Sequence, residues 1–515
     1  MPVVTIDGRK VETGADATIL AAARQAGIEI PTFCFHEALS VAANCRICLV
    51  EVKGSRKPLP ACEVKVRDGM EVFTRSPVAE EARKAVLEFI LLNHPVDCPV
   101  CDCAGECLLQ DQYHHYSATP SRINVRKIHK PKATPIGPNV VFDGERCINC
   151  TRCVRFLREI TGSQQLVQAW RGNHTEISLF EGRPLKDPYS LCTVDLCPVG
   201  ALTSRDFRFK KRVWWLHFAD SVCPECARGC RVRVDHADGR IWRVQPRFDA
   251  EVNRWWACDA GRLAFHRFES NRVLRPRLRA LSGPEREADL DQAVDAAAAE
   301  LSGVLASGKS VACIVNASAS LEEALALFLF AREALGVQQA FLAPRADGPS
   351  DALLRVADSN ANVTGIRLLA EKAGVKLLAL DELFAAGSAP AAVVSVGSEY
   401  SLPRLPAGSV LESAVVLAVC QDEAALKSTV LFPMAGHYER GGLFVNCDGK
   451  AAQAMAAVRP PAGVTGAQVV LRRVAMKMGR PAGHANLREL TARCLSLLGI
   501  TVAAGASGAP AAVGG

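Results

Sequence analysis

Cys147-Ile148-Asn149-Cys150-Thr151-Arg152-Cys153, with Cys197-Pro198 following 44 positions after Cys153, decides how this chain is read. Three thiols at x2, x2 pitch open the bacterial ferredoxin run, in which a cysteine before proline supplies a further cluster ligand. The usual x3-Cys-Pro step is absent nearby, so a long insertion separates the two parts and leaves one cluster here rather than two. Three cysteines at this pitch also suit a cube better than the single tetrahedral point that zinc requires.

Outward from this stretch, three more ligand sets appear. Upstream lie Cys34, Cys45, Cys48 and Cys62, then His94, Cys98, Cys101 and Cys107. Downstream lie Cys223, Cys226, Cys230 and Cys258. Numbered along the chain, the opening stretch is the third set. The first set, Cys-x10-Cys-x2-Cys-x13-Cys, departs from plant-type spacing; a two-iron cluster and zinc both stay open on spacing alone. In the second set, His94 competes with a simpler reading, a helix C-terminal histidine bonded to carbonyls. Cys103 is a rival ligand there. The fourth set, Cys-x2-Cys-x3-Cys-x27-Cys, also suits zinc by spacing.

The chain has 515 residues and 21 cysteines, 17 of them at or before Cys258. This length predicts about three or more domains. Met1-Pro2 runs straight into strand-like Val3-Val4-Thr5-Ile6, so no signal peptide and a reducing, intracellular setting are expected; cysteine groups there read as metal or redox sites. No apolar run approaches the ~20 residues of a spanning helix. The net charge of +7 is mild, and the basic run Arg208–Arg212 reads as a solvated or partner-facing surface rather than a nucleic-acid site.

Residues 3–12 predict a hairpin about Asp7-Gly8. Residues 15–26 predict a helix capped by Asp16, and residues 77–93 a helix with Val86, Phe89 and Ile90 on one side, ended by Pro95. Strand, strand, helix, ligand loop and strand make a β-grasp plan. Residues 130–138 read as a Pro-rich linker. Beyond about 280, alanine-rich helices alternate with strands at 311–315, 376–380, 392–396 and 415–419, an α/β layer domain. Gly54 and Gly69 are isolated turn glycines, and no flavin or nicotinamide fingerprint stands out. The tail from Ala503 reads as disordered.

All four spacings, in this order, resemble the large iron–sulfur subunits of bacterial NADH:quinone oxidoreductase, respiratory complex I. The runs that carry the resemblance are Asn44–Cys48, His94–Pro99, Cys150–Phe156 and Asp195–Ser204. The resemblance implies one [2Fe-2S] cluster on the first set and [4Fe-4S] clusters on the other three, with His94 preferred to Cys103. The implied fold is a multidomain α+β chain: a β-grasp [2Fe-2S] ferredoxin domain (1–76), a His/Cys [4Fe-4S] domain (77–130), a ferredoxin-like [4Fe-4S] domain (139–215), a fourth-cluster domain of the molybdenum-enzyme type (216–275), a shortened molybdopterin-oxidoreductase-like domain (276–500) and a disordered tail (501–515). Glu439–Gly442, Asn446 and Asp448–Lys450 resemble a segment near the pterin. Glu322-Glu323, however, follows Ala319-Ser320-Leu321 with no soft ligand, so no molybdopterin is expected and this part reads as structural. Cys313 reads as core and Cys192 as a buried thiol.

The implied function is electron relay, with no catalytic residue of its own. Electrons enter from a flavin/NADH-binding subunit and leave to a two-cluster ferredoxin-like subunit, towards quinone, on the cytoplasmic face of the bacterial inner membrane. The alternatives are the electron-transfer part of an NAD-linked formate dehydrogenase or hydrogenase, and a zinc-stabilised scaffold.

Overall fold

The computed structural model describes all residues except 117–119, 280–283, 385–388, 398, 401–410, 503–506 and 509–515. The tail expectation therefore falls mostly outside the described residues. The chain divides into two compact units, one built on Met1–Leu216 and one on His217–Gly508.

The first unit opens with β1 (Val3–Ile6) and β2 (Arg9–Glu12), antiparallel across Asp7 and Gly8, whose φ of 46° and 82° give the left-handed pair of a type I′ hairpin. Helix α1 spans Ile19–Gln25. Its cap is Thr18, which accepts from the Ala21 N–H at 3.2 Å, and not Asp16, which pairs with Lys65 at 2.6 Å on the surface. The Ile19 N–H is already taken by the Val64 carbonyl, so the chain turns helical only beyond Thr18. β3 (Leu49–Val52), β4 (Leu59–Pro60) and β5 (Glu71–Phe73) complete a mixed sheet of order β2-β1-β5-β3-β4. Ile19, Leu20, Ala22 and Ala23 join Val4, Ile6, Val50 and Val72 in its core, each large side chain contributing about 2 kcal/mol.

α2 (Pro77–Leu91) is capped by Ser76 and ends before His94. Its buried face is Ala79, Arg83 and Leu87, whereas Phe89 of the expected stripe is 72% exposed. Arg83 occupies that face because its guanidinium lies over the Tyr116 ring at 5.1 Å and within 3.5 Å of the Leu49 carbonyl, which lets the aliphatic stem pack. α3 (Leu108–Tyr116) follows. The stretch read as a linker contributes β6 (Thr134–Pro135), paired to β7 (Val140–Phe142). Lys132 anchors it by ion pairs to Glu145 at 2.8 Å and Asp97 at 3.3 Å. α4 (Arg152–Glu159), the hairpin of β8 (Leu166–Ala169) and β9 (Glu176–Leu179), α5 (Cys192–Leu196) and β10 (Leu202–Ser204) finish the unit, β10 pairing with β7.

The second unit begins with an antiparallel meander, β11 (His217–Val222), β12 (Arg231–Ala237) and β13 (Arg240–Pro246), followed by α6 (Asp259–Leu263). An eight-stranded sheet comes next. β14 (Arg277–Arg279) and β15 (Glu285–Glu287) form its antiparallel edge; β16 (Val311–Asn316), β17 (Gln339–Ala343), β18 (Lys376–Ala379), β19 (Ala392–Val396), β20 (Ser413–Ala418) and β21 (Val430–Pro433) are parallel in the order β21-β20-β19-β16-β17-β18. That is the doubly wound order, with its switch point between β16 and β19. Helices Leu290–Ala306, Leu321–Leu329, Ala467–Lys477 and Leu487–Leu498 pack in one core with it. Cys313 is fully buried there. At the switch point a crevice of about 40 Å³ remains, lined by Asn316, Glu399, His437 and Arg440, far below the roughly 300 Å³ of the smallest ordinary ligand pockets. Glu323, next to it, caps its own helix with Ser320 and pairs with Arg440 at 2.6 Å. Among the described residues, no helix is long and apolar enough to cross a membrane.

Candidate metal centres

The first set sits on the loop between α1 and β3, with Cys62 just after β4. Ala43 and Arg46, at φ 49° and 60°, curl the loop. Cys34, Cys48 and Cys62 are buried, and the Cys34 N–H donates to the Cys45 sulfur at 3.4 Å. The side chains touch pairwise: Cys34 with Cys45 and Cys62, and Cys48 with Cys62. Hydrogen bonds from Cys45 and Cys62 pull the Cys34 thiol down to about 2 and push the donors up. Sulfurs this close repel one another as thiolates, a strain that a polycationic core relieves.

The second set runs from the end of α2 to the start of α3. Val96, at φ 50°, turns the chain between His94 and Cys98. The carbonyl of His94 accepts from Lys127 Nζ, while the buried ring Nδ1 has no hydrogen-bond partner. Burial pushes His94 down to about 4, so its imidazole is neutral, the form that binds metal. Asp97, between His94 and Cys98, is held bidentately by Arg146 at 3.0 and 2.6 Å, which keeps its carboxyl below the usual range.

In the third set, Asn149 and Thr151 (φ 50° and 61°) wrap the loop. Cys153 rides on α4, and Cys197 ends α5. All four cysteines line one small pocket, where burial pushes Cys147 and Cys197 up to about 12. In the fourth set, Cys223 and Cys230 close the β11–β12 connection, the Cys223 N–H donating to the Cys230 carbonyl at 2.8 Å. Cys258 caps α6, accepting from the Gly261 N–H at 3.4 Å. A Cβ on Gly261 would lie 2.6 Å from the Cys223 sulfur, so glycine is what admits both sulfurs there. Burial pushes Cys258 up to about 11.

Order in space differs from order in sequence. Arg155 on α4 donates to the carbonyls of Cys34 at 2.5 Å, Cys150 at 3.2 Å and Ser40. Arg152 reaches Phe35 O at 2.5 Å and Leu196 O at 3.3 Å, and Asn44 bonds the Asn149 carbonyl at 3.0 Å. These contacts join the first set to the third. The loop after Cys197 joins the third to the second: Leu108 N–H donates to Pro198 O at 3.1 Å, and a Cβ on Gly200 would lie 2.4 Å from the Cys101 sulfur. The sequence of sets through the first unit is therefore first, third, second. A cleft of about 440 Å³ touches Cys45, His94 and Cys147, one from each.

The donors fit iron–sulfur clusters: soft thiols, one neutral imidazole with an orphaned ring nitrogen, and side-chain-free glycines at the sulfurs of two sets. Among the described residues, no group of three or more His, Cys, Asp or Glu side chains is placed to hold a lone metal ion. Two further cysteines lie nearby. Cys192 is fully buried on α5 and Cys103 sits beside Cys107. Spacing gave no signal for Arg152, Arg155, Gly200 or Gly261, which shape the sets without being ligands.

These features define an iron–sulfur protein, and family comparisons agree. Residues 3–77 match a 2Fe-2S iron-sulfur cluster binding domain and residues 83–122 an NADH-ubiquinone oxidoreductase-G iron-sulfur binding region. Residues 137–203 match the ferredoxin-like domain of NADH-quinone oxidoreductase subunit 3, and residues 216–270 a molybdopterin oxidoreductase Fe4S4 domain. The chain is 40% identical to the NADH-quinone oxidoreductase G subunit of Streptomyces coelicolor over 335 residues, 64% of this chain and 39% of that one. It is 44% identical to the NADH-ubiquinone oxidoreductase 75 kDa subunit of Reclinomonas americana over 273 residues, 53% of this chain and 39% of that one. The chain is thus similar to G subunits of NADH-quinone oxidoreductases, and its match spans about two fifths of these relatives' length. A chain of a solved NAD+-reducing [NiFe]-hydrogenase aligns over 41% of this chain at 27% identity with a TM-score of 0.38, too low to bear on the fold.

Proposed function

We propose that this chain is an electron-relay subunit of a proton-translocating NADH:quinone oxidoreductase, taking electrons from a flavin-bearing subunit and passing them to a two-cluster ferredoxin-like subunit towards quinone. In this reading it is a peripheral subunit on the cytoplasmic face of the bacterial inner membrane. The first set holds a [2Fe-2S] cluster on a β-grasp domain, and the second, third and fourth sets hold [4Fe-4S] clusters. Bound there, these clusters supply one-electron donor and acceptor centres. The chain's own residues do the rest. Cysteine thiolates and His94 hold the irons, and Arg152 and Arg155 fix the distance between the first and third sets. The Pro198–Gly200 loop fixes that between the third and second. Burial keeps water from the sulfurs.

The observation that carries the reading is this contiguous line of first, third and second sets within one unit. The fourth set lies on the other unit, and the reading takes it as off the main route, with the doubly wound domain behind it as structural. The test is low-temperature EPR of the purified complex during NADH titration. Three signals from this chain should reduce with NADH and be lost one by one in Cys48→Ala, Cys150→Ala and Cys98→Ala. Turnover that survives loss of the third-set signal would remove the relay assignment.

A further inference from the structure

Arg152 is only 8% exposed, yet among the described residues it has no carboxylate partner. Its guanidinium donates to two backbone carbonyls, Phe35 at 2.5 Å and Leu196 at 3.3 Å, and its buried Nε has no hydrogen-bond partner. Phe35 directly follows Cys34 of the first set, and Leu196 directly precedes Cys197 of the third. Arg152 also lines the small pocket on which Cys147, Cys150, Cys153 and Cys197 converge. Its charge acts on Cys150 and Cys197, then on Cys34 and Cys45. Burying a cation without an anion is expensive, and an N–H without an acceptor adds to the cost. The two carbonyls offset part of this; what the site lacks is negative charge. An iron–sulfur cluster held by four thiolates is an anion, and reduction adds one more negative charge to it.

We propose that Arg152 is a positioning residue shared by two clusters: its fixed positive charge is the counter-charge of the first and third clusters and holds both reduction potentials up. The inference rests on the clusters proposed above for those two sets. A guanidinium stays charged across the ordinary pH range, so the effect involves no titration. A cation close by in a low-dielectric interior stabilises the more negative, reduced state of each cluster. Arg152 lines the third-set pocket itself and touches the first set only through the Phe35 carbonyl, so the third cluster feels the charge more. None of its described hydrogen bonds reaches the second set, whose cluster serves as the internal reference.

The test is an EPR-monitored redox titration of the purified complex carrying wild type, Arg152→Gln or Arg152→Lys, with iron and acid-labile sulfide measured on each. Glutamine keeps a donor and loses the charge; lysine keeps the charge and loses the fork. In Arg152→Gln the first- and third-cluster midpoints should both fall, the third further, while the second stays at its wild-type value. In Arg152→Lys both should stay near wild type. Loss of iron in Arg152→Gln with its retention in Arg152→Lys would also support the inference, since only the charge separates the two. Unmoved midpoints in Arg152→Gln overturn it, as does a fall in only one of the two or an equal fall in all three. An equal fall in both variants, or loss of iron from both, overturns it as well, because the hydrogen bonds and not the charge then matter. A complex that loses no signal in Cys48→Ala or in Cys150→Ala overturns the cluster reading itself, and this inference with it.

Discussion

Gly200→Ala places one methyl group where the second and third sets approach. Its Cβ would lie 2.4 Å from the Cys101 sulfur and 3.1 Å from the Cys103 Cβ. Non-bonded heavy atoms settle at about 3.5–4.0 Å, so the overlap with sulfur is roughly 1 Å. Cys101 cannot rotate away while it holds iron, and the Gly200 loop is tied to α3 by the Leu108–Pro198 hydrogen bond. Overpacking of this kind costs about 1–3 kcal/mol when neighbours can yield; with a tethered sulfur the expected response is loss of the second cluster. Gly261→Ala repeats the experiment at the fourth set, with a Cβ 2.6 Å from the Cys223 sulfur, while Gly303 on the helix Leu290–Ala306 has nothing within 4 Å. Gly303→Ala should therefore stabilise by up to about 1 kcal/mol. The assays are iron per chain, EPR and the thermal midpoint of each variant. Gly200→Ala should lose about four irons and the His94-linked signal, Gly261→Ala the fourth-set signal, and Gly303→Ala none. Full cluster content in Gly200→Ala with an unchanged thermal midpoint would refute the packing argument.

Arg155→Lys keeps a charge but cannot reach the Cys34, Ser40 and Cys150 carbonyls together, so it should cost roughly 3 kcal/mol in denaturant unfolding; a change under about 0.5 kcal/mol would count against the clamp. Cys226→Ala should remove one four-iron signal and largely spare NADH-driven turnover, and collapse of turnover in an assembled complex would contradict the off-route assignment. His437 is buried, with Nε2 2.7 Å from the Val222 carbonyl, and burial depresses it to about 3. The unfolded chain binds a proton near pH 6.5 that the folded one refuses, so stability contributed above pH 6.5 falls by about 1.4 kcal/mol per unit as pH drops towards 3. His437→Gln should flatten that slope in pH-dependent denaturation; an unaltered slope would show that another group sets it.

The convergence of Cys147, Cys150, Cys153 and Cys197 on one pocket was legible in part, because Cys147-x2-Cys150-x2-Cys153 is local and a loop is enough to bring those three together. The doubly wound strands were legible as well, since 311–315, 392–396 and 415–419 are apolar runs of strand length. Side-chain facing was harder. The 3.6-residue period put Phe89 inward, but Arg83, whose guanidinium meets the Tyr116 ring and the Leu49 carbonyl, took the buried face instead. Thr18 displaced Asp16 as a cap because the Val64 carbonyl, 45 residues further on, fixes where the backbone enters the helix. The Pro-rich stretch 130–138 became a paired strand through Lys132 and its acidic partners. The order first, third, second depends on contacts such as Arg155 to Cys34, 121 residues apart. No periodicity encodes a separation of that kind.

On the proposed function, the four sets hold one two-iron and three four-iron clusters. Its most direct test is metal and acid-labile sulfide analysis of the purified chain after anaerobic reconstitution with iron and sulfide. About 14 irons and about 14 sulfides per chain are expected, two of each from the first set and four of each from every other set. A colourless protein holding zinc at about one ion per set, with no labile sulfide, would contradict it.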